Sequence, residues 1–157
     1  MEHALTPHIQ KRLLYAIGIS GFFLFLDQVC KYLVRQDVSF AWYIIDHIFG
    51  WEYFANPGVA FGIPIPNTVI IILTPLLLFG LLYYFIHTTH TNCVSILGGS
   101  LIILGAISNF IDRVLFGVTI DYIRIFTSVA NIADGMIIAG VLLFLYDQYI
   151  GSMRIYR

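Results

Sequence analysis

Charge is scarce in this 157-residue chain: Lys, Arg, Asp and Glu make up 11% of it, with a formal net charge of -1. No basic stripe exists to neutralise phosphates, which argues against a nucleic-acid partner. Cysteine is nearly absent. The two present, Cys30 and Cys93, fall near opposite ends of the apolar segments described below. That places them far beyond the Cα separation of about 7 Å that a disulfide tolerates, so both read as small apolar residues. His3, His8, His47, His87 and His90 show no helical ligand spacing with a carboxylate, so no metal and no cofactor is expected. Gly98-Gly99 lacks a following Lys-(Ser/Thr), which leaves close helix packing in place of a phosphate loop. Asp46 and Glu52 are expected to face water.

What remains is apolar. Hydrophobic residues make up 59% of the chain and mean hydropathy is +0.87, a membrane composition. The chain reads as one integral-membrane domain over 1–157, an all-α bundle of four transmembrane helices at about 13–34, 69–86, 94–111 and 132–149. Each approaches the roughly 20 residues that cross the bilayer core. The first is too long for a signal-peptide core and reads as a retained helix. Lys11 and Arg12 before the first span, with Arg154 and Arg157 after the last, put both termini in the cytoplasm.

An outer segment at about 36–67 carries Phe40, Trp42, Ile44, Trp51, Tyr53 and Phe54. Its composition predicts short strands, and hence a small extracytoplasmic β element between helices one and two. Asn56-Pro57-Gly58 marks a turn. The second outer segment, 113–131, reads as a short irregular loop with a brief strand or helical turn. No internal repeat is visible.

The few polar residues collect at one leaflet. Asp27, Gln28 and Lys31 end the outward first span, Asn109, Asp112 and Arg113 end the outward third, and Asn131 and Asp134 begin the inward fourth. Asp121 lies between the last two. An acid inside the bilayer costs roughly 2.5 to 3.5 kcal/mol, so such a cluster is expensive unless paired. Asp27 and Lys31 share a face at i, i+4 and can neutralise each other. The pairs Asn109/Asp112 and Asn131/Asp134 each project from one side at i, i+3.

In order along the chain, Asp27-Gln28-Val29-Cys30-Lys31, Asn56-Pro57-Gly58-Val59-Ala60-Phe61, Gly105 through Asn109-Phe110-Ile111-Asp112-Arg113, then Asp121 and Asn131-Ile132-Ala133-Asp134 resemble the elements of the lipoprotein signal peptidases, or signal peptidase II. These are membrane aspartyl peptidases of bacteria. Cys30 stands where that family has a hydroxyl residue, Ser108 where it has Gly and Ala130 where it has Phe. The 121–134 stretch is shorter than usual. The resemblance implies Asp121 and Asp134 as the catalytic pair, with Asp27, Lys31, Asn56, Gly58, Asn109, Asp112, Arg113 and Asn131 shaping the site. It implies a prolipoprotein substrate bearing a diacylglyceryl-Cys, cleavage on the amino side of that Cys, a site at the outer leaflet of the bacterial inner membrane among membrane lipid, and a monomer.

Other readings of the same residues exist. Asp134 suits a helix-entry cap, Asp112 a structural pairing with Arg113 or a loop backbone group, and Asp27 with Lys31 an architectural ion pair. A small ion or proton carrier relaying through Asp27, Asp112 and Asp134 is the main alternative function. Such carriers usually place their acids near the midplane between repeats, whereas these gather at one edge. A non-enzymatic membrane subunit leaves the acids unexplained. Cys30 as a lipid-bearing residue is rejected, because Gln28 and Val29 are not small and Asp27 interrupts the apolar core.

Overall fold

The computed structural model describes residues 6–58, 65–87 and 92–155. His3, Val59-Ala60-Phe61, His90 and Arg157, used above, lie outside the described residues. The chain runs α1 (Pro7–Gln36), β1 (Ala41–Ile45), β2 (Phe49–Asn56), α2 (Asn67–His87), α3 (Cys93–Phe116), β3 (Thr119–Ile125), β4 (Ser128–Ala130) and α4 (Ile132–Ile155). α1, α2 over Asn67–Phe85 and α3 are long and apolar enough to cross a membrane.

Three of the four helices have a local reason to start or stop where they do. Pro7 opens α1, where a missing N–H is harmless. Beyond its end, the Asp37 carboxylate accepts from the Ser39 backbone N–H at 3.0 Å and turns the chain toward β1. Asn92 caps α3 by accepting from the Ser95 N–H at 2.8 Å, and Gly117, at φ 76°, closes that helix in the left-handed region. At α4, the Asn131 side chain accepts from the Asp134 N–H at 2.8 Å while Asp134 Oδ2 accepts from the Asn131 N–H at 3.4 Å, a reciprocal capping box.

α3 and α4 pack with backbones nearly touching. A methyl group added at Gly98 would lie 2.9 Å from the Gly140 carbonyl oxygen, and one at Gly105 would lie 2.8 Å from that of Ala133. Small residues permit this approach. The expectation of helix packing at Gly98-Gly99 holds, with Gly99 lying against the Phe85 ring of α2.

The β element is larger than expected. It is a four-stranded antiparallel sheet in the order β1-β2-β3-β4, and half of it comes from the link between α3 and α4. The segment expected to be an irregular loop with a brief strand or helical turn does hold strand, but as a full hairpin, with β3 paired to β2 from Phe49↔Ile125 to Asn56↔Thr119 and to β4 from Ile123↔Ala130 to Ile125↔Ser128. Asp121 therefore sits on an internal strand. Ile120 and Tyr122 of β3 pack with Val34 of α1 into a buried cluster, joined by Trp51 and Ile132, which fixes the sheet to the bundle. The helices also outrun the apolar windows. α3 continues five residues past Ile111 to Phe116, because Asp112 and Arg113 are buried among partners and do not face solvent.

Candidate active site

The polar residues expected to converge do so, and they separate into two groups. The first is built on Lys31, which is fully buried. Its ammonium lies 2.7 Å from Asp27 Oδ2 and 2.8 Å from Asp112 Oδ2, and it donates to Asn109 Oδ1 at 2.9 Å. Asp27 is saturated. Its Oδ1 accepts from Tyr122 Oη at 2.8 Å and the Ala133 N–H at 3.2 Å, and its Oδ2 also accepts from Ser108 Oγ at 2.7 Å. Asp112 accepts from the Ile120 N–H at 3.2 Å and from Gln28 Nε2 at 3.3 Å. This group clamps α1, α3, β3 and the start of α4 together.

The expected Asp27–Lys31 ion pair is present. For Asp112, the loop-backbone alternative holds in the bond from Ile120, whereas its cationic partner is Lys31 and not Arg113. Arg113 instead donates to the Gly58 carbonyl and, at 3.4 Å, to Asn67 Oδ1. It thereby anchors the Asn56-Pro57-Gly58 turn beside the acids.

The second group contains Asp121 and Asp134. Asp121 is fully buried. Its Oδ1 accepts from Asn131 Nδ2 at 2.6 Å and its Oδ2 from Asn56 Nδ2 at 2.9 Å. Asp134 Oδ1 accepts from Asn109 Nδ2 at 2.8 Å. Asn131 Nδ2 also donates to Asn109 Oδ1 at 3.1 Å, so a continuous chain of amides links the two acids. Among the described residues neither acid has a cation in contact. Burial, and then the charge of Asp134, push Asp121 up to about 7. The two groups thus differ in kind: Asp27 and Asp112 are paired with Lys31, while Asp121 and Asp134 are held by the neutral amides of Asn56, Asn109 and Asn131.

Four contributors escaped the sequence reading. Tyr122 and Ser108 donate to Asp27, Gln28 reaches Ser108 Oγ at 2.9 Å, and Asn67 donates to the Arg113 carbonyl at 3.3 Å. Gln28 and Ser108 lie inside motifs already noted, so their positions were signalled and their roles were not. Tyr122 and Asn67 gave no signal beyond proximity to Asp121 and to a helix start. Glu52, expected to face water, is a correction: it accepts from Tyr43 Oη and pairs with Arg124, because β3 brings Arg124 across the sheet to it.

Residues 19–150 match the family described as Signal peptidase (SPase) II. The chain belongs to that family. A lipoprotein signal peptidase of Halothermothrix orenii is 40% identical over 133 residues, covering 80% of this chain and 90% of that one. One of Staphylococcus aureus is 35% identical over 136 residues, covering 82% and 83%. A bacterial membrane enzyme solved by the in meso method superposes with a TM-score of 0.80 at 31% identity, covering 88% of this chain and 89% of that one. A second such structure gives 0.74 at 32% identity, covering 85% and 92%. As a signal peptidase II member the chain is a peptidase.

Proposed function

We propose that this chain is an intramembrane aspartyl endopeptidase that removes the signal peptide from diacylglyceryl-modified prolipoproteins, cutting on the amino side of the lipid-bearing Cys. The observation that carries the reading is the pair Asp121 and Asp134, presented by a strand and a helix start, joined through Asn131 and Asn109, and without an ion-pair partner among the described residues. Peptide hydrolysis needs a base to activate water and an acid to protonate the leaving amine. Two coupled carboxylates with one shared proton supply both. That titration belongs to the pair. The amides of Asn56, Asn109 and Asn131 hold the acids in place through the reaction.

In this reading α4 is the fourth span of one integral-membrane domain over 1–157. Both termini are cytoplasmic, and the sheet and acids lie at the outer leaflet of the bacterial inner membrane. The working unit is a monomer, its partners are the prolipoprotein and the surrounding lipid, and no cofactor takes part. The test is a gel-shift assay of a lipidated prolipoprotein with purified parent, Asp121→Asn and Asp134→Asn. Cleavage by the parent alone is expected. Both variants cleaving at the parent rate would refute the aspartyl mechanism, and loss confined to an added Asp112→Asn variant would show that Asp112, and not one of these two, is catalytic.

A further inference from the structure

Thr119 opens β3 and is 3% exposed, yet its hydroxyl is buried without a hydrogen-bond partner among the described residues. Buried hydroxyls are almost always satisfied, and leaving one bare costs free energy. The strand register puts Thr119 on the sheet face of Asp121. Residues i and i+2 of a strand share a face, so Thr119 and Asp121 do. Thr119 is also directly opposite Asn56, whose amide donates to Asp121 Oδ2 at 2.9 Å. Asn56 Oδ1 takes the Gly58 N–H at 3.0 Å, and Thr119 Oγ1 makes no hydrogen bond to it. A hydroxyl held dry, next to an acid of the reacting pair and left open by its neighbours, is preorganised for a group that arrives with the substrate.

We infer that Thr119 is a substrate-binding residue, its hydroxyl donating to a main-chain carbonyl of the extended substrate segment that crosses Asp121. This rests on the peptidase reading above and adds a specific contact to it. Hydrogen bonds to the substrate main chain fix its register without reading side chains, so one donor here places the scissile bond over the acids for any prolipoprotein.

The test is steady-state cleavage of a lipidated prolipoprotein by the parent, Thr119→Val, which keeps the shape and removes the hydroxyl, and Thr119→Ser, which keeps the hydroxyl. Thr119→Val is expected to raise KM about three- to tenfold, the range of one neutral hydrogen bond, with kcat within about twofold. Thr119→Ser should keep the parent KM. Because the hydroxyl is unsatisfied in the free enzyme, Thr119→Val should also melt no lower than the parent. A parent-like KM in Thr119→Val overturns the assignment, as does a raised KM in both variants. Should Thr119→Val not fold, Thr119→Ala serves in its place, and a parent-like KM there is equally fatal. Asp121→Asn run alongside separates the two levels: an inactive Asp121→Asn with unchanged Thr119→Val kinetics removes only the Thr119 contact, whereas an Asp121→Asn as fast as the parent removes the peptidase reading and this contact with it.

Discussion

Lys31 serves two buried carboxylates and an amide at once, and the hydrogen bond from its ammonium fixes which way the Asn109 amide faces. With Oδ1 of Asn109 turned to Lys31, its Nδ2 is left for Asp134. Replacing Lys31 by Met strands Asp27 and Asp112 without a counter-charge, an error that typically costs about 3–5 kcal/mol. Thermal unfolding in detergent should show Lys31→Met far less stable than Asp121→Asn, and equal stability would contradict the division into a structural and a reactive group. Asp121 gives a pH signature. Its folded value of about 7 lies above the ordinary 3.8, so between those values the folded state binds more protons than the unfolded one. Stability therefore falls as pH rises from about 4 to about 7, by at most on the order of 4 kcal/mol. The melting temperature of the parent should drop relative to Asp121→Asn across that window. Activity should likewise decline above about pH 7 as the pair loses its shared proton, and a flat profile through pH 9 would count against the pairing.

At the level of elements, the α3–α4 contact sets the geometry of the acids, because Asn109 is on α3 and its partner Asp134 on α4. Gly105 lies one turn from Asn109 and touches the Ala133 backbone. Gly105→Val should push the helices apart and lower cleavage at least tenfold while the protein still inserts, and parent-like activity would show that the spacing is not critical. The sheet is the second element with a role. Trp51 packs on Tyr122, their ring centroids 4.8 Å apart, whereas Phe54 is 44% exposed beside Asp121. Phe54→Asp places a charge on that apolar surface and should weaken processing of lipidated substrate, with unchanged processing arguing against contact there.

β3 is also where sequence reasoning fell short. In Thr119–Ile125 the two charged residues fall on opposite faces, Asp121 turned into a site and Arg124 into an ion pair instead of toward water. The apolar/polar period that marks a half-buried strand is thereby hidden. The same cause shortened the expected third span, since Asp112 and Arg113 read as an exit from the membrane while being buried, Asp112 in the clamp and Arg113 against the Gly58 turn. In contrast, β1 and β2 were legible because their aromatic and β-branched residues follow strand propensity without such conflict.

Across the whole molecule, the order of helices and the gathering of scarce charge at one end were readable from hydropathy and spacing. Of the charge partners only the i, i+4 pair of Asp27 and Lys31 was; those from other elements were not. Lys31 reaches Asp112 from another helix, and a contact between residues so distant in sequence depends on helix rotation that spacing does not encode. Topology is testable as a unit. Cys93 at the start of α3 is exposed, and Phe126 at the β3–β4 turn is 71% exposed. In intact cells a membrane-impermeant thiol reagent should label Phe126→Cys and leave Cys93 unlabelled until the membrane is opened. The reverse pattern would invert the orientation.

The central claim is that Asp121 and Asp134 act as one catalytic unit. The direct measurement is the residual cleavage rate of Asp121→Asn, Asp134→Asn and the double variant on the same lipidated prolipoprotein. Groups that act together are lost together, so the three rates should be equal within error and at least a thousandfold below the parent. Either single variant within tenfold of the parent, or a double variant slower than the singles by the product of their losses, would contradict it.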